Sequence, residues 1–162
     1  MAGVTHSQQI EETDEENVID HYIGRLEEAC YLAMSKLAPE LSGHLEKSLT
    51  IDQFFVLRIL SQRGSCTVSE LASEHKVNPA AITAMMDRLS KNDLIIRERD
   101  EKDRRTVNIS LSTQGRQVFN LSEAKRKQMF KHYFSKLEQE EMKLLVAITE
   151  KLARIVLIAK EE

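Results

Sequence analysis

Between Thr67 and Gly115 the chain changes its hydrophobic period twice, and few small folds accommodate that change. Thr67-Val68-Ser69-Glu70 has the form of a capping box, in which hydroxyl and carboxylate each take a backbone N–H of the other residue. It predicts a short helix through Leu71 to about His75. Asn78-Pro79 opens a second helix, because Asn is a good N-cap and the proline ring suits the first helical turn. That helix is expected to end near Asn92 in a left-handed conformation. Leu94–Arg99 then reads as a strand. In Thr106–Leu111, Val107, Ile109 and Leu111 alternate with Asn108 and Ser110, the pattern of a half-buried strand. The six residues between them, 100–105, are all charged and make a solvated turn. Two short helices about three residues apart, followed by a hairpin with a charged tip, form a winged helix-turn-helix.

The flanks are helical. Residues 1–12 have no hydrophobic period and read as a mobile acidic arm. Thr13-Asp14-Glu15-Glu16 is a further capping box, and apolar residues then recur at three- and four-residue spacing from Ile19 through Ile23, Cys30 and Met34 to Leu37. Pro39 and Gly43 are expected to disturb that helix. Thr50-Ile51-Asp52-Gln53 starts another, which stops at Gly64. Ser112 caps a long helix from about Gln114. In the last segment Leu145, Ile148, Leu152, Ile155 and Ala159 make a short seam of the kind that packs on another helix. The expected class is mainly α with a small β-hairpin. Residues 13–49 form an N-terminal helix and connector, 50–112 a winged lobe, and 113–162 two long C-terminal helices. Ile19, Ile23, Leu145, Ile148, Leu152 and Ile155 are the expected helix–helix contacts.

Charge is distributed unevenly. The 162 residues carry a formal net charge of −3, yet residues 76–131 hold 13 basic and 7 acidic side chains, net +6, while residues 1–49 are net −7. A basic middle third in an acidic chain is the footprint of a nucleic-acid reader. The second short helix supplies the reading face. Ile82, Met85, Met86 and Leu89 fall on its inner side. Asn78 at its start, with Ala80, Ala81, Thr83, Ala84, Arg88 and Lys91, makes the expected DNA-facing set, and Asp87 lies on the same outer side. Small residues at its N-terminal half let it sit deep in a major groove about 12 Å wide. Thr83 can reach a base or a phosphate, and Arg88 and Lys91 suit phosphates. The wing tip carries Lys102, Arg104 and Arg105 at backbone or minor-groove height, with Asp103 as a local brace for an arginine.

From Asn78 to Gly115 the sequence resembles the core of MarR-family transcription regulators. The matching residues are Pro79, Ile82, Thr83, Met86-Asp87-Arg88-Leu89, Leu94, Arg97, Asp103-Arg104-Arg105 and Leu111-Ser112-Thr113-Gln114-Gly115. Leu49-Thr50-Ile51-Asp52-Gln53-Phe54 resembles the segment that opens the preceding helix. The resemblance implies a homodimer built from the first and last two helices, reading a pseudo-palindromic site in double-stranded DNA. It places Ala80, Thr83 and Ala84 at bases, Arg105 in the minor groove and Asp103 as the wing brace. This sequence departs from the family where Ser is frequent (Ala80), where Arg is frequent (Ala84) and where Gly is usual (Asp93); Asn92 is expected to take over that turn. The resemblance also implies a small aromatic or lipophilic acid as ligand, held between dimer helices and lobe, with release of a repressor as its effect.

No phosphate-binding glycine loop or nucleophile elbow occurs, and the five glycines are scattered, so no enzyme is expected. Two cysteines make neither a disulfide framework nor a four-thiolate zinc site. Cys30 is a redox candidate, because some members sense peroxides through a cysteine in the first helix. His21, Cys30, His44 and His132 lack ligand spacing, and neither metal nor cofactor is expected. No apolar run reaches the ~18 residues of a membrane span, and the polar N-terminus is no signal peptide, so a cytoplasmic protein is expected. The rival reading is a winged-helix protein-interaction module, since the fold does not oblige DNA binding.

Overall fold

The computed structural model describes residues 5–46, 49–75, 79–99 and 106–159, with residues 5–17, 75 and 79 described by backbone alone. It divides into two compact units, residues 1–43 and 44–162.

The first unit is nearly all of helix α1, Thr5–His44. Two expectations are corrected here. The helix begins at Thr5, so residues 5–12 are helical and Thr13 lies inside the helix instead of capping it. Gln8, Gln9, Glu11 and Glu12 are good helix formers that need no apolar stripe to extend a helix already started. Pro39 also sits within the helix, which continues to His44 although an interior proline removes one N–H and crowds the preceding turn. Val18, Ile19, Tyr22, Ile23 and Leu26 are all exposed.

The second unit holds the remaining elements. Helix α2 (Ile51–Arg63) is capped as expected: Thr50 Oγ1 accepts from Gln53 N–H at 3.2 Å, and Gln53 Oε1 accepts from Thr50 N–H at 3.0 Å. Gly64 ends it at φ 83°, a conformation that favours glycine. A strand not foreseen, β1 (Ser65–Thr67), follows. Three residues with a single apolar side chain, Cys66, show no period, so only pairing reveals it. Then come α3 (Val68–His75), α4 (Pro79–Lys91), β2 (Ile95–Arg99), β3 (Val107–Leu111), α5 (Thr113–Phe134) and α6 (Gln139–Ile158). The sheet is antiparallel in the order β1-β3-β2, with Cys66 and Arg97 both opposite Ile109, and Ile95 opposite Leu111. The wing is therefore three-stranded where a two-stranded hairpin was expected.

The core of this unit lies among α2, α3, α4 and the sheet. Phe54, Leu57, Leu60, Leu71, Ile82, Met86, Leu89, Leu94 and Ile109 are fully buried. Phe54 stacks on Phe119 of α5 with centroids 5.7 Å apart, and Ser122 Oγ, also fully buried, accepts from Glu46 N–H at 3.0 Å. Cys66 is buried here, and desolvation pushes its thiol pKa up, leaving little reactive thiolate. By contrast α6 buries no residue within the chain, and Leu145, Ile148, Leu152 and Ile155 are all exposed. Among the described residues no helix is long and apolar enough to cross a membrane.

Candidate nucleic-acid interface

α3 begins on the expected capping box. Thr67 Oγ1 accepts from Glu70 N–H at 3.2 Å, and Glu70 Oε2 accepts from Thr67 N–H at 2.7 Å and from its hydroxyl at 2.9 Å. These bonds hold the Glu70 carboxyl below its usual pKa. Leu71 and Ala72 anchor α3 in the core.

α4 divides as the sequence predicts. Ile82, Met86 and Leu89 are buried, Met85 is half-buried, and Ala80, Ala81, Thr83, Ala84, Asp87, Arg88 and Lys91 are exposed. Side chains on the exposed face are small toward the N-terminus, and cations follow in the last turn. Asn78 and the wing-tip residues Lys102, Asp103, Arg104 and Arg105 lie outside the described residues.

The C-terminal end of α4 is tied down by a specific set of bonds. Leu94 N–H donates to Leu89 O at 3.0 Å, and Asp93 N–H donates to Ser90 O at 3.0 Å. This pair is the Schellman closure, with the buried side chains of Leu89 and Leu94 accompanying it. The left-handed residue is Asp93, at φ 55°, so the expectation for Asn92 is corrected by one position. The closure sets the left-handed site one residue past the cap, and a short polar side chain such as Asp tolerates it.

The carbonyls just beyond α4 are taken up by the start of α5. Ser112 Oγ donates to Asp93 O at 2.5 Å and accepts from Gly115 N–H at 2.8 Å, Gln114 Nε2 donates to Asn92 O at 3.1 Å, and Ser112 N–H donates to Leu94 O at 3.1 Å. Gly115 permits this approach, since a Cβ there would stand 1.8 Å from Leu94 O. The turn after α4 and the first turn of α5 are thus one bonded assembly.

A second tie joins α4 to the wing. Arg97 Nη2 on β2 donates to Asp87 Oδ1 at 2.6 Å. Neither residue was in the expected DNA-facing set. The available signal was a single carboxylate on an otherwise small or cationic helix face, with an arginine at a core-side strand position soon after.

The six expected helix–helix contacts, Ile19, Ile23, Leu145, Ile148, Leu152 and Ile155, are all exposed in the single chain. Cys30 is exposed as well. Among the described residues, no three His, Cys, Asp or Glu side chains gather as a metal site requires.

Comparison with known proteins agrees with this geometry. The profile of the MarR family matches residues 49–107. The HTH-type transcriptional repressor MdtR of Bacillus subtilis is 42% identical over 120 residues, covering 74% of this chain and 77% of the relative. The crystal structure of the YusO protein from Bacillus subtilis is 38% identical, with a TM-score of 0.67 over 83% of this chain and 96% of that one. A MepR-like protein crystallised with pseudoligands is 32% identical, with a TM-score of 0.54 over 88% of this chain and 94% of that one. With the winged helix-turn-helix in place and relatives of this identity and coverage, the chain belongs to the MarR family of DNA-binding transcriptional regulators.

Proposed function

We propose that this chain is a homodimeric, sequence-specific repressor whose DNA affinity falls when a small aromatic or lipophilic acid binds. Residues 13–49 and 113–162 form the dimerisation region, and residues 50–112 form the DNA-binding lobe. The observation that carries this reading is the outer face of α4, small at its N-terminal half and cationic at its end, on a helix bonded firmly at its C-terminus. In a major groove, Ala80, Ala81 and Ala84 let the backbone approach base edges, the Thr83 hydroxyl meets a base or phosphate, and Arg88 and Lys91 meet phosphates. Asn78 belongs to the same proposed DNA-facing set. Lys102, Arg104 and Arg105 engage the backbone or minor groove, with Asp103 as their brace.

The exposed apolar stripes on α1 and α6 support dimerisation, because contiguous apolar patches on an isolated chain mark association surfaces. A dimer presents two copies of α4 to half-sites about 34 Å apart. Support for a ligand comes from the MepR-like relative solved with pseudoligands. Bound ligand would act by favouring dimers in which the two α4 helices no longer match that spacing.

The test is fluorescence anisotropy with the DNA upstream of the protein's own gene, beside a scrambled duplex, over a salt series. Wild type is expected to prefer the upstream DNA, with affinity falling steeply as salt rises. Arg105→Ala should weaken binding and flatten the salt dependence by about 2 in log–log slope, one phosphate-scale contact per lobe. Failure to bind either duplex at low salt would replace this reading with the protein-interaction module.

A further inference from the structure

Asp87 is the one acidic residue in α4. On a face meant for DNA, a carboxylate opposes the phosphates that Arg88 and Lys91 attract. It lies about 140° around the helix from buried Ile82, on the same flank as Ala80 and Thr83. Its contact with Arg97 shows that this flank is the one turned toward β2.

Arg97 reaches Asp87 from the core face of the sheet. It stands opposite Ile109, which is fully buried, so the two side chains share a face. Glu98, the next residue, stands opposite Asn108 and points to the other side, so it does not compete with Asp87 for Arg97. Both partners remain open to solvent, Arg97 at 36% and Asp87 at 62% side-chain exposure. Exposed pairs of this kind add little to stability. Among the described residues, Asp87 is the only polar side-chain partner of Arg97, and the bond uses one of the five guanidinium N–H donors.

We propose that Asp87 is a positioning residue for DNA binding: its carboxylate holds Arg97 in the gap between recognition helix and wing, so that the remaining guanidinium donors engage a backbone phosphate. The inference rests on the DNA-facing assignment of α4 given above. A guanidinium fixed on one side by a carboxylate presents its other N–H groups in a planar fork, the geometry that phosphate oxygens match. The pair also neutralises the one negative charge on the reading face, which would otherwise repel the duplex.

The experiment uses the full chain with two probes: a 30-bp duplex enriched from a random pool by the wild-type protein, and the unenriched pool itself. Anisotropy is followed over a salt series for wild type, Asp87→Asn, Arg97→Gln and the double variant. Asp87→Asn removes a negative charge, so simple attraction requires tighter binding. Positioning predicts the opposite, a loss of roughly tenfold on both probes, the size expected for one charge-assisted bond. Arg97→Gln should lose at least as much and lower the salt slope by about 0.9 per lobe. The double variant should bind no more weakly than Arg97→Gln alone, because Asp87 acts through Arg97. Thermal midpoints of both single variants should stay within about 2 °C of wild type, as expected for an exposed pair. Unchanged or tighter binding by Asp87→Asn, or an unchanged salt slope for Arg97→Gln, overturns the proposal. A wild-type chain that binds neither probe overturns the DNA-facing assignment of α4, and this proposal with it.

Discussion

Gly115→Ala should destabilise the chain by about 3 kcal/mol or more, within and beyond the usual range for overpacked sites. The added Cβ would stand 1.8 Å from Leu94 O and 2.7 Å from Leu94 C. These are backbone atoms, so no side-chain rotation relieves the clash. Leu94 is itself fully buried, and its carbonyl accepts the Ser112 N–H. Either the first turn of α5 or the start of β2 must move, and either shift strains the bonds from Ser112 and Gln114 to the turn after α4. Gly24 is the internal control. It lies in α1 with nothing within 4 Å of an added Cβ, so Gly24→Ala should be neutral or stabilising by up to about 1 kcal/mol through helix propensity. Urea unfolding of the two variants beside wild type measures both effects. Equal midpoints for Gly115→Ala and wild type would mean that the α4–α5 junction is not closed as described.

The second large effect is expected at α6. Leu152 is 54% exposed in the single chain, so a charged residue there keeps its head group in solvent. In the dimer we propose, the same side chain is buried against the partner, and each dimer contains it twice. Only the exposed half of each leucine is newly buried on association, so losing the two contacts removes about 1.5–3 kcal/mol of association energy. Two carboxylates desolvated without partners weaken association further. Leu152→Glu should therefore sediment as a monomer at concentrations where wild type is a dimer, with its helical circular dichroism largely retained. Its DNA affinity should fall as well, since one lobe then binds without the other. A Leu152→Glu chain that remains dimeric would remove α6 from the interface.

The parts of this fold written into the sequence are those set by local bonding. The boxes at Thr50–Gln53 and Thr67–Glu70 close as their residue types dictate, because each partner lies three residues from the other. Ser112 caps α5 for the same reason. The buried face of α4 follows from period alone. Features set by distant partners were not legible. β1 exists because Cys66 pairs opposite Ile109, across more than 40 residues of chain, and its own three residues carry no strand pattern. Asp87 fell on the correct exposed face, but its partner on β2 depends on how the sheet packs beside the helix. The left-handed turn was displaced from Asn92 to Asp93 because side-chain preference ranks the two residues closely, while the closure bonds to Leu89 and Ser90 distinguish them. Helix α1 outran its expected start because helix-favouring polar residues extend a helix without any apolar period.

In the dimer we propose, two copies of this chain read one duplex together. Native mass spectrometry of the full chain with its enriched 30-bp duplex tests it most directly, with a hydroxyl-radical footprint of the same complex. Two chains per duplex are expected, with two protected half-sites centred about one helical turn, roughly 34 Å, apart. One chain per duplex with a single protected half-site would contradict it.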